Sequence, residues 1–198
     1  MGKQHQELSQ EHIAFIQAQK LFFVGTAMDR GRVSVSPKGM DSLIVLGGNR
    51  IAWLNVTGSG NETATHIQAN PRMTVMFCAF EGKPLVLRLY GSAKVYHRSD
   101  RQWDDLISAF KPLPGARQIF DVAVDLVQSS CGMSVPNFEY IGERELLNDW
   151  ATNKGEEGIR QYWAQNNQLN IDGQPSHIIA KSNCSTSSSP LPKPGVGR

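Results

Sequence analysis

The chain has 198 residues, 40% of them hydrophobic and 19% charged, and a formal net charge of +2. That is enough for one domain with a substantial core, and the charge is too evenly spread to suggest a nucleic-acid partner. No apolar run nears the roughly 20 residues of a membrane span, and the polar start from Met1 to Gln10 lacks the apolar centre of a signal peptide.

Three dispersed cysteines, Cys78, Cys131 and Cys184, with no CxxC pair, fit a reducing, cytoplasmic setting. Ser9 precedes apolar residues at helical spacing and predicts an N-capped helix from about Gln10 to Gln19. Leu21 to Ala27 reads as a buried strand, turned back by Met28 to Gly31. Arg32 to Ser36 alternates polar and apolar residues, which places Arg32, Ser34 and Ser36 on one strand face. Pro37-Lys38-Gly39 then stops the strand with a lysine at its end.

Leu43 to Leu46 and Ile51 to Val56 flank Gly47-Gly48-Asn49-Arg50, a hairpin signal. Thr57 to Asn61 is a loop of glycines and hydroxyls, and Glu62 to Ala69 is helical up to the stop at Pro71. Met73 to Phe80 is a buried strand. Leu85 to Tyr96 is a longer one, with Gly91 marking a bulge or bend. Ser99 caps a predicted helix running to about Phe110, and Gln118 to Gln128 alternates as a strand with one wet face. Six or seven strands, mostly joined by hairpins and short loops, predict a mainly β fold with peripheral helices, closed as an antiparallel barrel.

Beyond the loop from Ser130 to Pro136, helices are expected over Arg144 to Trp150 and Glu156 to Asn166. This gives a single domain over 1–184, with its core at about 13–128 and a helical extension at 140–168. The Ser, Pro and Gly composition of 185–198 predicts a disordered tail.

Strand, glycine-and-hydroxyl loop, then helix start is an order that offers N–H groups and hydroxyls to an anion. It is equally the order of a tight turn followed by a helix capped by Ser59 or Asn61. Arg32, Ser36 and Lys38, the loop Thr57, Gly58, Ser59, Gly60, Asn61, Glu62 and Thr63, and Arg88 together make a candidate phosphate cradle. Taken singly, the two arginines also read as solvated strand residues and Lys38 as a turn residue. Glu62 and His66, one helical turn apart, are too few for a metal site, and there is no HExxH, P-loop or hydrolase elbow.

Val35-Ser36-Pro37-Lys38-Gly39, Thr57 to Thr63, Asn70-Pro71-Arg72 and Leu87-Arg88-Leu89-Tyr90-Gly91 occur in this order over about Ile13 to Gln128. In this the chain resembles the pyridoxamine 5'-phosphate oxidase-like family of FMN-binding split barrels. The resemblance implies a six-stranded split barrel and a homodimer with FMN at its interface. It places the FMN phosphate against Arg32, Ser36, Pro37, Lys38 and the Thr57 to Thr63 segment. Asn61-Glu62-Thr63 stands where the vitamin oxidases usually carry Ser-Arg-Lys, and their C-terminal Arg-Leu-x-Pro type segment has no counterpart. The resemblance is therefore to a subgroup of unassigned substrate.

It implies an FMN-dependent oxidoreductase working by hydride transfer, with NADH or NADPH as reductant and Lys38 or Arg88 near the flavin's pyrimidine end. A non-catalytic store or sensor of FMN, a haem or deazaflavin binder in the same groove, and a structural dimer with a vestigial pocket are the alternatives. No catalytic acid or base stands out.

Overall fold

Alternating apolar residues draw the strands into one antiparallel sheet in the computed structural model, which describes residues 2–182. The predicted tail at 185–198 and Cys184 lie outside the described residues. The strands are β1 (Lys3–His5), β2 (Phe22–Thr26), β3 (Ser34–Lys38), β4 (Leu43–Gly47), β5 (Arg50–Val56), β6 (Arg72–Cys78), β7 (Val86–His97) and β8 (Ala116–Ser130). They run in the order β3-β2-β6-β7-β8-β5-β4, and β1 pairs with β8. Eight strands among the described residues exceed the expected six or seven. The extra one, Lys-Gln-His, carries no apolar alternation to reveal it.

The sheet curls around a core in which Trp53 stacks on Phe120 at 4.7 Å and Phe22 meets Trp53 edge-on at 6.1 Å. Val24, Val75, Leu87, Leu89 and Val122 fill the space between these rings. Helix α1 (Gln10–Ala18) closes over one part and α2 (Glu62–Ala69) over another, with Ile16, Ala64 and Ile67 buried in the same core. The cap of α1 is reciprocal: the Ser9 hydroxyl accepts from the His12 N–H, and His12 Nδ1 accepts from the Ser9 N–H, both at 3.2 Å.

Two boundaries differ from expectation for stated reasons. The strand expected over Arg32 to Ser36 lies two residues later, so Arg32 precedes β3 while Pro37 and Lys38 belong to it. β3 is an edge strand, where a residue without an N–H is tolerated. Helix α3 (Arg101–Ile107) starts after Asp100, not after Ser99, and ends before Phe110. The Asp100 carboxylate accepts from the His97 N–H at 2.8 Å, whereas the Ser99 hydroxyl donates to the Lys181 carbonyl.

The two helices expected in the extension form α4 (Leu146–Asn166), broken at Gly155 with φ 63°. With α5 (Ile178–Lys181) it buries Ala151, Ile159, Trp163 and Ile178 in a small cluster of its own. Among the described residues no helix is long and apolar enough to cross a membrane.

The expected bend at Gly91 is a register shift between β7 and β8. Tyr90 pairs with Leu126 and Gly91 with Val124, leaving Asp125 as the extra residue. The alternation along β8 therefore changes phase there, so that Val127 is buried and Leu126 only half-buried. A Cβ on Gly91 would sit 2.0 Å from the Ala123 carbonyl oxygen, and backbone cannot yield as a side chain can. Gly91→Ala is expected to cost about 3 kcal/mol or more, a fall of about 6–12 °C in melting temperature. A thermal melt of the variant within 2 °C or so of the parent would show that the two long strands are not held at this closeness in solution.

Candidate functional site

β5 ends at Val56 and hands the chain to the loop that starts α2, while β3 passes alongside. Between them lies a cavity of about 480 Å³. Of the residues expected to bind a phosphate, Arg32, Ser36, Lys38, Gly58, Ser59, Gly60, Asn61, Glu62 and Thr63 all line it. Three do not. Pro37 lies on the exposed face of β3. Thr57 is buried behind the loop, donating its hydroxyl to the Gly115 carbonyl at 2.8 Å and accepting from Trp163 Nε1 at 2.8 Å. Arg88 lies on β7 and donates to the Ser130 hydroxyl at 3.2 Å, so within one chain it is not brought to this cavity.

The alternation of β3 sends Ser34, Ser36 and Lys38 inward and leaves Val33 and Val35 exposed, 71% and 68%. Lys38 thus faces the cavity from inside a strand, its Nζ 5.1 Å from the centre of the Trp53 ring. Burial, with the Arg117 charge as the lesser cause, pushes its ammonium down to about 8. Arg117, near the start of β8, is 3% exposed. Its Nη1 donates to the Gly60 carbonyl at 3.1 Å and to Asn167 Oδ1 at 2.7 Å. Burial pushes this guanidinium down as well, to about 9, yet it remains charged at neutral pH.

Neither cation takes part in any of the four ion pairs among the described residues. The loop arginine that does find a carboxylate is Arg32, which pairs with Asp172 and donates its N–H to it at 2.8 Å. Glu62, at the cavity wall, is engaged by the Ile171 N–H at 3.2 Å.

The remaining polar groups of the wall are buried and short of partners: Ser36 Oγ, both amide atoms of Asn61, His66 Nε2 and Arg117 Nε. Asn61 occupies the N-cap position of α2, but its side chain makes no capping bond. Ser59 makes none either, so the capped-turn reading is not what the loop adopts. His66 shares a hydrogen bond with Thr26 through Nδ1 at 3.0 Å, and does not pair with Glu62. Among the described residues no group of three metal-ligating side chains exists.

Sequence reasoning missed Arg117 because the strand was read from Gln118. A charge leading straight into the apolar run Ile119-Phe120 was the available signal. Asn55, polar at the end of an apolar strand, was a second.

The architecture is thus an antiparallel split barrel with peripheral helices, carrying a cavity whose wall holds a buried arginine, a half-buried lysine and several orphaned hydrogen-bonding groups. The sequence profile of the family described as Pyridoxamine 5'-phosphate oxidase matches residues 8–131. A pyridoxamine 5'-phosphate oxidase family protein of Aspergillus flavus, ustO, is 34% identical over 177 residues, covering 79% of this chain and 70% of its own. The chain belongs to the pyridoxamine 5'-phosphate oxidase family. A variant of HupZ from Group A Streptococcus shares the fold at TM-score 0.52 and 18% identity, covering 62% of this chain and 98% of its own. A second HupZ structure gives TM-score 0.51 at 18% identity, covering 67% and 99%.

A half-buried, unpaired ammonium has a measurable signature. Unfolded, Lys38 keeps its proton up to its ordinary value of 10.5; folded, it releases it near 8. Between those values the unfolded chain binds more protons, so stability rises with pH across that window. Below it the buried charge costs ~3 kcal/mol. Lys38→Met is expected to stabilise the cofactor-free protein at pH 7 by about 1–3 kcal/mol and to flatten the rise between pH 8 and 10.5. Urea unfolding of both proteins across that range checks this; superimposable curves would mean that the ammonium is hydrated.

Proposed function

We propose that this chain is a flavoprotein that binds FMN non-covalently in the cavity and acts as an oxidoreductase by hydride transfer. The observation that carries the reading is the pair Lys38, half-buried, and Arg117, buried, both against the cavity with only neutral partners. Burying cations without a counter-charge is costly unless an anion completes the site. A phosphomonoester brings close to two negative charges and three acceptor oxygens, which suits two cations and several donors.

The fit extends to the smaller groups. Ser36 Oγ and Asn61 Nδ2 are donors in want of acceptors, and the loop leads into the N-terminus of α2, where negative charge is favoured. In this reading Lys38, Arg117, Ser36 and the Gly58 to Thr63 loop hold the phosphate. The Trp53 face keeps the Lys38 ammonium aimed into the cavity. FMN, when bound, would supply the two-electron chemistry, and the protein supplies binding, orientation and charge. NADH or NADPH as reductant completes the reading, and the free thiols of Cys78 and Cys131 agree with a reducing cytoplasm.

The same reading has two copies meeting beside the cavity. Val33, Val35 and Ile171 line it and are largely exposed, an apolar rim on an edge strand that one copy leaves uncovered. A two-fold dimer would bury that rim and give each cofactor contacts from both chains.

FMN is expected to bind about 100-fold or more tighter than riboflavin, since several charge-assisted hydrogen bonds depend on the phosphate. Equal affinities in a fluorescence titration would remove the phosphate assignment. Anaerobic bleaching by NADH or NADPH, followed by turnover with an acceptor, separates an oxidoreductase from a store.

Sedimentation is expected to give a dimer that Val35→Asp converts to a monomer by burying a charge in the interface. A parent chain that sediments as a monomer and still holds FMN tightly would overturn the shared site.

A further inference from the structure

The loop from Thr57 to Glu62 is gripped from behind by a part of the chain beyond the family profile, which stops at residue 131. Trp163 Nε1 donates to Thr57 Oγ1 at 2.8 Å. Asn167 Nδ2 donates to the Gly58 carbonyl at 3.1 Å and the Ser59 carbonyl at 3.3 Å. Its Oδ1 accepts from Arg117 at 2.7 Å, and Arg117 in turn donates to the Gly60 carbonyl. The Ile171 N–H meets the Glu62 carboxylate, and Gln68 Nε2 donates to the Ser176 carbonyl at 2.8 Å. Asn167 is itself fully buried, and its carbonyl accepts from the Ser176 hydroxyl at 2.5 Å.

This arrangement has a directional consequence. In a trans peptide the C=O and the following N–H lie in one plane and point in opposite directions. With the Gly58 and Ser59 carbonyls turned towards Asn167, the N–H groups of Ser59 and Gly60 point away from it. Asn167 is not part of the cavity wall, whereas Ser59 and Gly60 are. One side-chain amide therefore fixes the sense of two peptide planes and the position of a guanidinium. It can do all of this because an amide carries both donors and an acceptor.

We infer that Asn167 is the positioning residue of the anion site, holding the Gly58 to Gly60 backbone and the Arg117 guanidinium in the one arrangement that presents their N–H groups to a phosphate. The inference rests on the FMN reading above and adds the C-terminal segment to it. Asn167 touches no ligand; it acts through the loop and through Arg117. An aspartate in its place would lack the donors for both carbonyls and would neutralise Arg117, leaving the fold's shape nearly unchanged.

The test is the ratio of FMN to riboflavin affinity, measured by flavin fluorescence on the full chain, with a thermal melt of each cofactor-free protein. Asn167→Ala and Asn167→Asp are expected to weaken FMN about 10- to 100-fold, the aspartate more, while riboflavin affinity stays within about 2-fold. Trp163→Phe loses the bond to Thr57 and some packed volume beneath Arg98 while staying aromatic, so it serves, with its melt as control, if the Asn167 variants fail to fold. It is expected to weaken FMN about 3- to 10-fold with riboflavin again unchanged. Equal losses for both flavins would make the segment a general support and overturn the inference. So would undiminished discrimination in folded variants. A parent chain that binds the two flavins alike would overturn the cofactor reading itself, and this inference with it.

Discussion

The constraint on which the rest of this structure depends is the withdrawal of two positive charges, Arg117 fully and Lys38 partly, into one cavity wall without an ion-pair partner. Lys38 comes from an edge strand and Arg117 from a central one, and each is held by neutral groups only: the Trp53 ring for one, the Gly60 carbonyl and the Asn167 amide for the other. Four cations do form ion pairs among the described residues, as Arg50 does with Asp121 across the β5–β8 ladder. Lys38 and Arg117 instead sit where the wall also carries orphaned hydroxyl, amide and imidazole groups. A fold selected for stability alone would place a carboxylate or an aliphatic residue at either position. Retaining both charges at this wall gives up stability that an aliphatic side chain would keep.

The sheet explains how these groups come together. β5 lies between β4 and β8, so the loop leaving β5 is necessarily close to the start of β8, where Arg117 stands. β3 reaches the same region by its turn back from β2, which sets the parity that points Lys38 inward. The phase change at Gly91 lets β7 and β8 stay paired over their full length while bending. Helix α4 and the segment after it are laid over the outside of the loop, so the chain's last described stretch supports a cavity wall built mainly by earlier strands and α2.

Much of this was legible in the sequence. Strands that are buried on one face announce themselves by period-two alternation, and the helix start after Ser9 follows local capping chemistry, whereas α2 starts after Asn61 without a side-chain cap. Nine of the twelve expected binding positions line one cavity because they belong to two local motifs whose ends the topology brings together. What was not legible depended on distant partners. Ala116 to Phe120 is buried at every position, which erases the parity that would have set Arg117 apart. Arg32 does line the cavity, but its carboxylate partner, 140 residues away in a segment with no pattern of its own, was not legible. The choice of Asp100 over Ser99 at the start of α3 turns on a bond from Ser99 to Lys181, again remote in sequence.

Pro37 carries a further consequence. An exposed edge strand ordinarily offers a continuous row of donors on which another strand can grow, and a proline interrupts that row. β3 ends in Ser-Pro-Lys, so its free edge is a poor template for extending the sheet into a second molecule. Strand addition, which has no natural limit, is thereby disfavoured at this edge, and the exposed side chains there are those of Val33 and Val35. The same imino acid that looked like a stop signal protects the molecule from polymerising along its own β-sheet.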